Sequence, residues 1–407
     1  MRCKMTREIY KIDVKAEWLG FMLKNGDKII AIGKHEKDVY MFTIFYDADE
    51  YPLVLTGKAK EDDKICIKIA SYRIELYVNG ELLDEEWPYG DCGIENAKII
   101  SQAREYSMEK VTEEIPVLPN VLRTFENPIG WKPEEFVFVG DCMPYSEDGE
   151  YHVIYLKDRR HHKSKWRRGA HQWNHISTPD LKTWYEHPPV VEIDKQWEAS
   201  ICTGSHIKNE DTHYLYYTVR TFDGSPAPMC RSISKDGYHY EKDENFSLFL
   251  SSKYKGSTAR DPRIVKGEDG KFHVLITTTL ISEGKGCLAH LVSDDLTNFT
   301  ELDPIYVNDT ADEPECSDYF EYNGYYYLVY SVMGVGHYKY SKMQFGQMTT
   351  PNNDIIPYAW VPKSAQKDGR LLFAGFLNKG YWGNVMSFIE GFSNGDGTLD
   401  FEVVEKF

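Results

Sequence analysis

No run of consecutive apolar residues approaches the ~18 that a membrane-spanning helix needs, and Met1 to Leu23 holds no apolar core of the kind a secretory leader carries. Basic charge is outnumbered: 47 Lys and Arg stand against 64 Asp and Glu, and the net charge of −17 argues against nucleic acid or an anionic membrane as a partner. The eight cysteines (3, 66, 92, 142, 202, 230, 287 and 316) form no C-x-x-C pair and no zinc spacing, so they read as free thiols in a reducing compartment. A cytoplasmic protein is the expectation. Glycine-rich phosphate loops, H-E-x-x-H and nucleophilic Cys–His motifs are also missing, so no cofactor and no metal is expected from motifs. Helix formers are concentrated nowhere. Aromatic residues, by contrast, make up 14% of the 407 positions, 29 of them Tyr, which favours an all-β protein with the aromatic-lined clefts that sugars occupy.

Up to about residue 115 the chain alternates as short strands: Lys28–Ile32, Val39–Tyr46, Leu53–Lys58, Ile65–Ala70 and Arg73–Val78. Asn79-Gly80 then signals a type I′ hairpin returning as Glu81-Leu82-Leu83. Short strands on tight turns predict a β-sandwich over 1–115. The segment Ile74 to Leu82 resembles the hairpin of laminin-G and concanavalin-like lectin modules, against the plainer reading of a scaffold. Pro116, Pro119, Pro128 and Pro133 mark 116–135 as a linker.

From residue 136 a turn-then-strand unit recurs, starting at Asp148-Gly149, Glu210-Asp211, Asp269-Gly270, Asn323-Gly324 and Asp368-Gly369. Its first aromatic falls at Tyr151, Tyr214, Phe272 and Tyr325, separated by 63, 58 and 53 residues, with Leu372 in that place 47 residues later. A second signature follows three copies: Ser177 to Asp180 with Trp184, Ser234 to Asp236 with Tyr240, and Ser293 to Asp295 with Phe299. In each, a hydroxyl and a carboxylate close a turn through bonds to the backbone. Five repeats, each about four strands long, predict a five-bladed β-propeller over 136–407.

The first strand of each propeller blade lines the central channel. Counting back ten or eleven residues from the repeat aromatic reaches Asp141, Thr203, Asp261 and Glu315. Three acids at four comparable positions are costly to bury unless they are used, either as catalytic groups or as ligands of a cation on the axis. Their local sequences differ, as different roles require: Gly140-Asp141-Cys142, Arg260-Asp261-Pro262 and Pro314-Glu315-Cys316-Ser317-Asp318.

Those three motifs resemble the signature blocks of glycoside hydrolase family 32, the β-fructosidases and invertases. Gln172 to Leu181 is similar to that family's Trp-Gly-His-Ala segment, and Gly383 to Leu399 to its closing strand. The resemblance implies that Asp141 is the nucleophile, Glu315 the acid/base and Asp261 the transition-state stabiliser. It implies a retaining hydrolysis that needs two carboxyls ~5–5.5 Å apart. Departures from the family pattern stand at Gly140 (Asn in the family), Cys142 and Ser317 (Pro), and Ile389-Glu390 (Pro-Arg). An inverting furanosidase of the family 43 type and a non-catalytic glycan-binding propeller are the alternatives.

Around the acids, repulsion from Asp141 and Asp261 is expected to favour the protonated form of Glu315. Arg260 is expected to keep Asp261 ionised and to hold sugar hydroxyls. Ser205, Trp173 and His175 are further substrate-binding candidates. One loop, Lys157 to His171, carries seven Lys or Arg and is expected over the pocket mouth, where it would bind an anionic group such as a sugar phosphate while Trp166 stacks on a sugar ring. The same loop is compatible with a solvated surface or a subunit contact, which leaves the oligomeric state open. An oligosaccharide or sugar-phosphate substrate is the expected partner.

Overall fold

A computed structural model describes residues 6–15, 20–45, 53–70, 73–86, 93–100, 107–114, 118–133, 137–158, 171–195, 197–221, 224–226, 228–378 and 382–407. The chain divides into two compact units, Met1–Val117 with Ile193–Gln196, and Leu118–Glu192 with Trp197–Phe407. Both are built of strands. Among the described residues the only helical turns are Ile94–Asn96 and Gly256–Thr258, and no helix is long and apolar enough to cross a membrane.

In the first unit alternate residues point inward, as Val39–Ile44 and Lys64–Ala70 illustrate, so each strand buries one edge of its pleat. Among the described residues two five-stranded antiparallel sheets result. Their inward residues, including Ile12, Ile67 and Leu76 from one sheet and Phe21, Phe42 and Leu55 from the other, form one buried cluster. Asn79 and Gly80 both take positive φ, 52° and 89°, as the predicted type I′ turn demands. Four strands escaped the sequence reading: Thr6–Lys15, Phe21–Asn25, Lys98–Ile100 and Ser107–Glu114. The proposed linker also holds structure, for Arg123–Glu126 pairs as an edge strand with Thr183–Val191.

Among the described residues the second unit contains four sheets, three of four or five strands in line and one of seven. Five of their strands, Phe138–Glu147, Glu198–Asn209, Arg260–Lys266, Glu315–Tyr322 and Ile355–Lys367, lie each against the next, and the last lies against the first. We call these the ring strands. The ring is also fastened by backbone bonds between its two ends: Val139 and Asn384 exchange both N–H···O bonds at 2.7 and 2.9 Å, Gly130 donates to Met386, and Met386 donates to Trp131. Hairpin turns at Asp148-Gly149, Asn323-Gly324 and Asp368-Gly369 repeat the paired positive φ of a type I′ turn. The second signature recurs as read, with one correction: in its first copy the hydroxyl on Asp180 is that of Thr178, while Ser177 donates to Glu150.

Candidate active site

Every ring strand is bulged at the same level. Register breaks fall between Val139 and Cys142, Ile201 and Gly204, Arg260 and Arg263, Glu315 and Asp318, and Trp360 and Lys363. A bulge turns a residue out of the pleat and re-aims its side chain, and three of the extra residues (Asp261, Cys316 and Val361) take φ of 57°, 51° and 51° although none is glycine. Asp141, Thr203, Asp261 and Glu315 sit on these bulges or beside them.

Asp141 and Asp261 are almost fully buried, and the Cys316 thiol touches both, at 3.2 Å from Asp141 Oδ2 and 3.5 Å from Asp261 Oδ2. Thr203 donates its hydroxyl to Asp141 Oδ2 at 2.6 Å. Asp141 Oδ1 is buried with no hydrogen-bond partner among the described residues, so one oxygen of this carboxylate is anchored and the other is unsatisfied. Asp261 Oδ2 accepts the Cys316 N–H at 3.1 Å and faces Arg260 Nε at 3.5 Å. Arg260 in turn donates from Nη2 to Glu315 Oε1 at 2.9 Å and from Nη1 to Glu313 and the Thr258 carbonyl. One thiol and one guanidinium therefore tie Asp141, Asp261 and Glu315 into a single cluster. Glu315, at 29% side-chain exposure, is the open member.

Burial pushes the Asp261 carboxyl up; Arg260 opposes this, and the charges of Asp141 and Glu315 add to the rise. Arg260 acts on Asp261 in the expected sense, and desolvation by burial is the larger influence. The contacts of Arg260 itself are made with carboxylates and a carbonyl. Burial pushes the Cys316 thiol well up, and the three neighbouring carboxylates push it further, so it stays protonated and can donate.

Gly140 departs from the family's Asn for a visible reason. A Cβ there would lie 2.3 Å from the Trp382 indole, which covers this backbone and stacks on His171 with centroids 4.5 Å apart. His171 pairs with Asp158 at 3.1 Å, and Asp158 lies opposite Phe138, so the stem of the basic loop stands beside the strand that carries Asp141. Trp166, Arg159, Arg160, Arg167 and Arg168 lie outside the described residues. Lys157, counted with that loop, is a buried strand residue.

Three other candidates lie in the interior of the sheets. Trp173 is fully buried and donates its indole N–H to the Cys202 carbonyl at 2.9 Å. His175 is fully buried between His152, at 3.0 Å, and the His187 ring. Ser205 donates to the Pro262 carbonyl at 2.8 Å and accepts the Ile264 N–H at 2.9 Å, so its hydroxyl joins two ring strands. Asp318 of the Glu-Cys-x-Asp block likewise ties three ring strands together, through Arg263 at 2.8 Å and the Ser364 N–H and hydroxyl at 2.7 and 2.8 Å.

Residues 142–366 match the family described as Glycosyl hydrolases family 32 N-terminal domain, a span that begins one residue past Asp141 and includes Asp261 and Glu315. The sucrose-6-phosphate hydrolase of Escherichia coli is 23% identical over 248 residues, 58% of this chain and 47% of that protein. That of Vibrio alginolyticus is 22% identical over 201 residues, 46% of this chain and 38% of that protein. The chain therefore spans less than half the length of these curated relatives. Among solved structures, fructan 1-exohydrolase IIa of Cichorium intybus superposes with a TM-score of 0.56 at 17% identity, covering 70% of this chain and 60% of that one. Sucrose-6-phosphate hydrolase of Lactobacillus gasseri gives 0.54 at 19%, covering 66% and 61%. At these identities the structural likeness speaks for the fold, and the match over more than half of the sequence speaks for descent. The chain belongs to glycosyl hydrolases family 32.

Proposed function

We propose that the protein hydrolyses terminal β-fructofuranosidic bonds of an oligosaccharide or sugar phosphate in the cytoplasm, with retention of configuration. The ring strands are taken as the innermost strands of five propeller blades over 136–407, and 1–115 as a lectin-like sandwich. Glu315, the exposed carboxyl, protonates the leaving oxygen while Asp141 Oδ1 attacks the anomeric carbon, giving a covalent fructosyl-enzyme. Water then adds at that carbon, Glu315 takes its proton, and Asp141 leaves with the bonding pair. Asp261, held by the Cys316 N–H, sits beside the oxocarbenium-like centre.

The observation that carries this reading is the anchored nucleophile: Asp141 Oδ2 is fixed by Thr203 and Cys316, and Oδ1 is left unpaired. The phosphate preference rests on the basic loop and on the name that the Escherichia coli relative bears. The test is a screen of sucrose, sucrose 6-phosphate, fructans and arabinosides with anomer analysis of the first product. Asp141→Asn is expected to abolish turnover, and Glu315→Gln to lower it by about 10²–10⁴-fold and remove the rate limb that reports the acid. Turnover near wild type in Asp141→Asn would end the assignment, and an inverted first product would move the chemistry to the family 43 type.

A further inference from the structure

At the far end of the first ring strand from Asp141, six residues on and so about 20 Å away along the strand, stands a second cluster of ligating groups. Glu147 closes that strand, His206 lies on the second ring strand, and His213 lies on the neighbouring strand of the same sheet, where Lys208 pairs with His213 and His206 with Leu215. His206 Nε2 is 3.1 Å from His213 Nδ1 and 3.6 Å from Glu147 Oε2, and His213 Nδ1 is 3.5 Å from Glu147 Oε2.

These three separations bracket the ligand-to-ligand edge of about 3.3–3.4 Å that a tetrahedral ion with bonds of ~2.0–2.1 Å requires. The surroundings hold the donors in place. The His206 ring stacks on Tyr145 with centroids 3.8 Å apart, and Gly237 leaves room for the His213 ring, which a Cβ would approach at 3.1 Å. Lys208 reaches Glu147 Oε1 at 2.5 Å and Asp148 at 2.9 Å, which orients the carboxylate with Oε2 toward the imidazoles, as an outer-shell partner does for a metal ligand. His206 is 5% exposed at its side chain and the other two 13%, so the cluster is enclosed but reachable from water.

We propose that Glu147 Oε2, His206 Nε2 and His213 Nδ1 bind a zinc-class divalent ion with its fourth position open to water, clamping the first sheet of this unit to the second. Nitrogen donors in two of three places select zinc or cobalt over magnesium or calcium. The role is structural, since the cluster lies away from the carboxylates that would do the chemistry.

Chelator-treated full-length protein is titrated with Co²⁺ and then Zn²⁺. One Co²⁺ per chain is expected, with the visible absorption of a four-coordinate site that Zn²⁺ erases, and Tm is expected to rise by roughly 5 °C at free zinc about 100 times Kd. His213→Gln and Glu147→Gln should each abolish the cobalt spectrum and the zinc-dependent rise, with folding checked by circular dichroism. The wild-type titration stands alone if either variant fails to fold. Absence of saturable one-to-one binding, a preference for Ca²⁺ or Mg²⁺, or binding that survives both substitutions would overturn the proposal, and none of these readouts depends on hydrolysis.

Discussion

Replacing Thr203 by Val removes one hydroxyl from a buried position and keeps the shape of the side chain. What is lost is the 2.6 Å bond to Asp141 Oδ2, leaving that oxygen with only the thiol at 3.2 Å. A hydrogen bond to a charged group is worth about 1.5–3 kcal/mol, and this one holds the carboxylate in a single orientation. At ~1.4 kcal/mol per tenfold in rate, its loss should lower kcat/KM about 10–100-fold. Thr203→Ser keeps a donor and should retain most of the rate. The assay is initial-rate hydrolysis of sucrose or sucrose 6-phosphate, with Tm measured alongside. An undiminished rate in a folded Thr203→Val protein would refute the claim that this hydroxyl anchors Asp141.

Ser205→Ala should lower stability by about 1–3 kcal/mol in urea titrations, because it strips a bridge between ring strands, and should leave KM unchanged. A raised KM would restore Ser205 to the binding site. Gly204→Ala places a Cβ 1.9 Å from the Tyr216 carbonyl oxygen, which backbone cannot vacate, so a fall in Tm of at least about 6 °C is expected by calorimetry. Burial holds His152 down at about 3, and His187 and His290 at about 4, against ~6.5 in the unfolded chain. Since the unfolded chain takes up these protons first, stability is full above about pH 6.5 and falls as pH drops toward 4, by roughly 2 kcal/mol per histidine at pH 5. Urea midpoints that stay level from pH 7 to pH 5 would contradict this.

Much of the ring was legible because the turn-then-strand repeat sets a fixed distance between a hairpin and the residue that reaches the bulge. Counting back from Tyr151, Tyr214, Phe272 and Tyr325 therefore reaches Asp141, Thr203, Asp261 and Glu315, each at a register break or next to one. The count could not show what those residues do to one another. Thr203 and Cys316 matter because ring neighbours far apart in sequence present a hydroxyl and a thiol to the same carboxylates. The surroundings of Trp173 and His175 are illegible in sequence for a different reason: Gln172–Thr178 is buried at all seven positions, so alternation carries no information about which face meets a cleft. Trp382 gave no sequence signal, since it acts through the missing side chain of Gly140. The cluster of Glu147, His206 and His213 is equally silent in sequence, because its ligands come from two sheets.

The clasp between Val139 and Asn384 sets an order of events at the ribosome. The segment bearing Asp141 is translated well before the one that seats its edge. A nascent chain that stops short of residue 384 would hold Asp141 on an unfastened strand, so the carboxylate cluster would be complete only once the loop of the chain has been drawn shut.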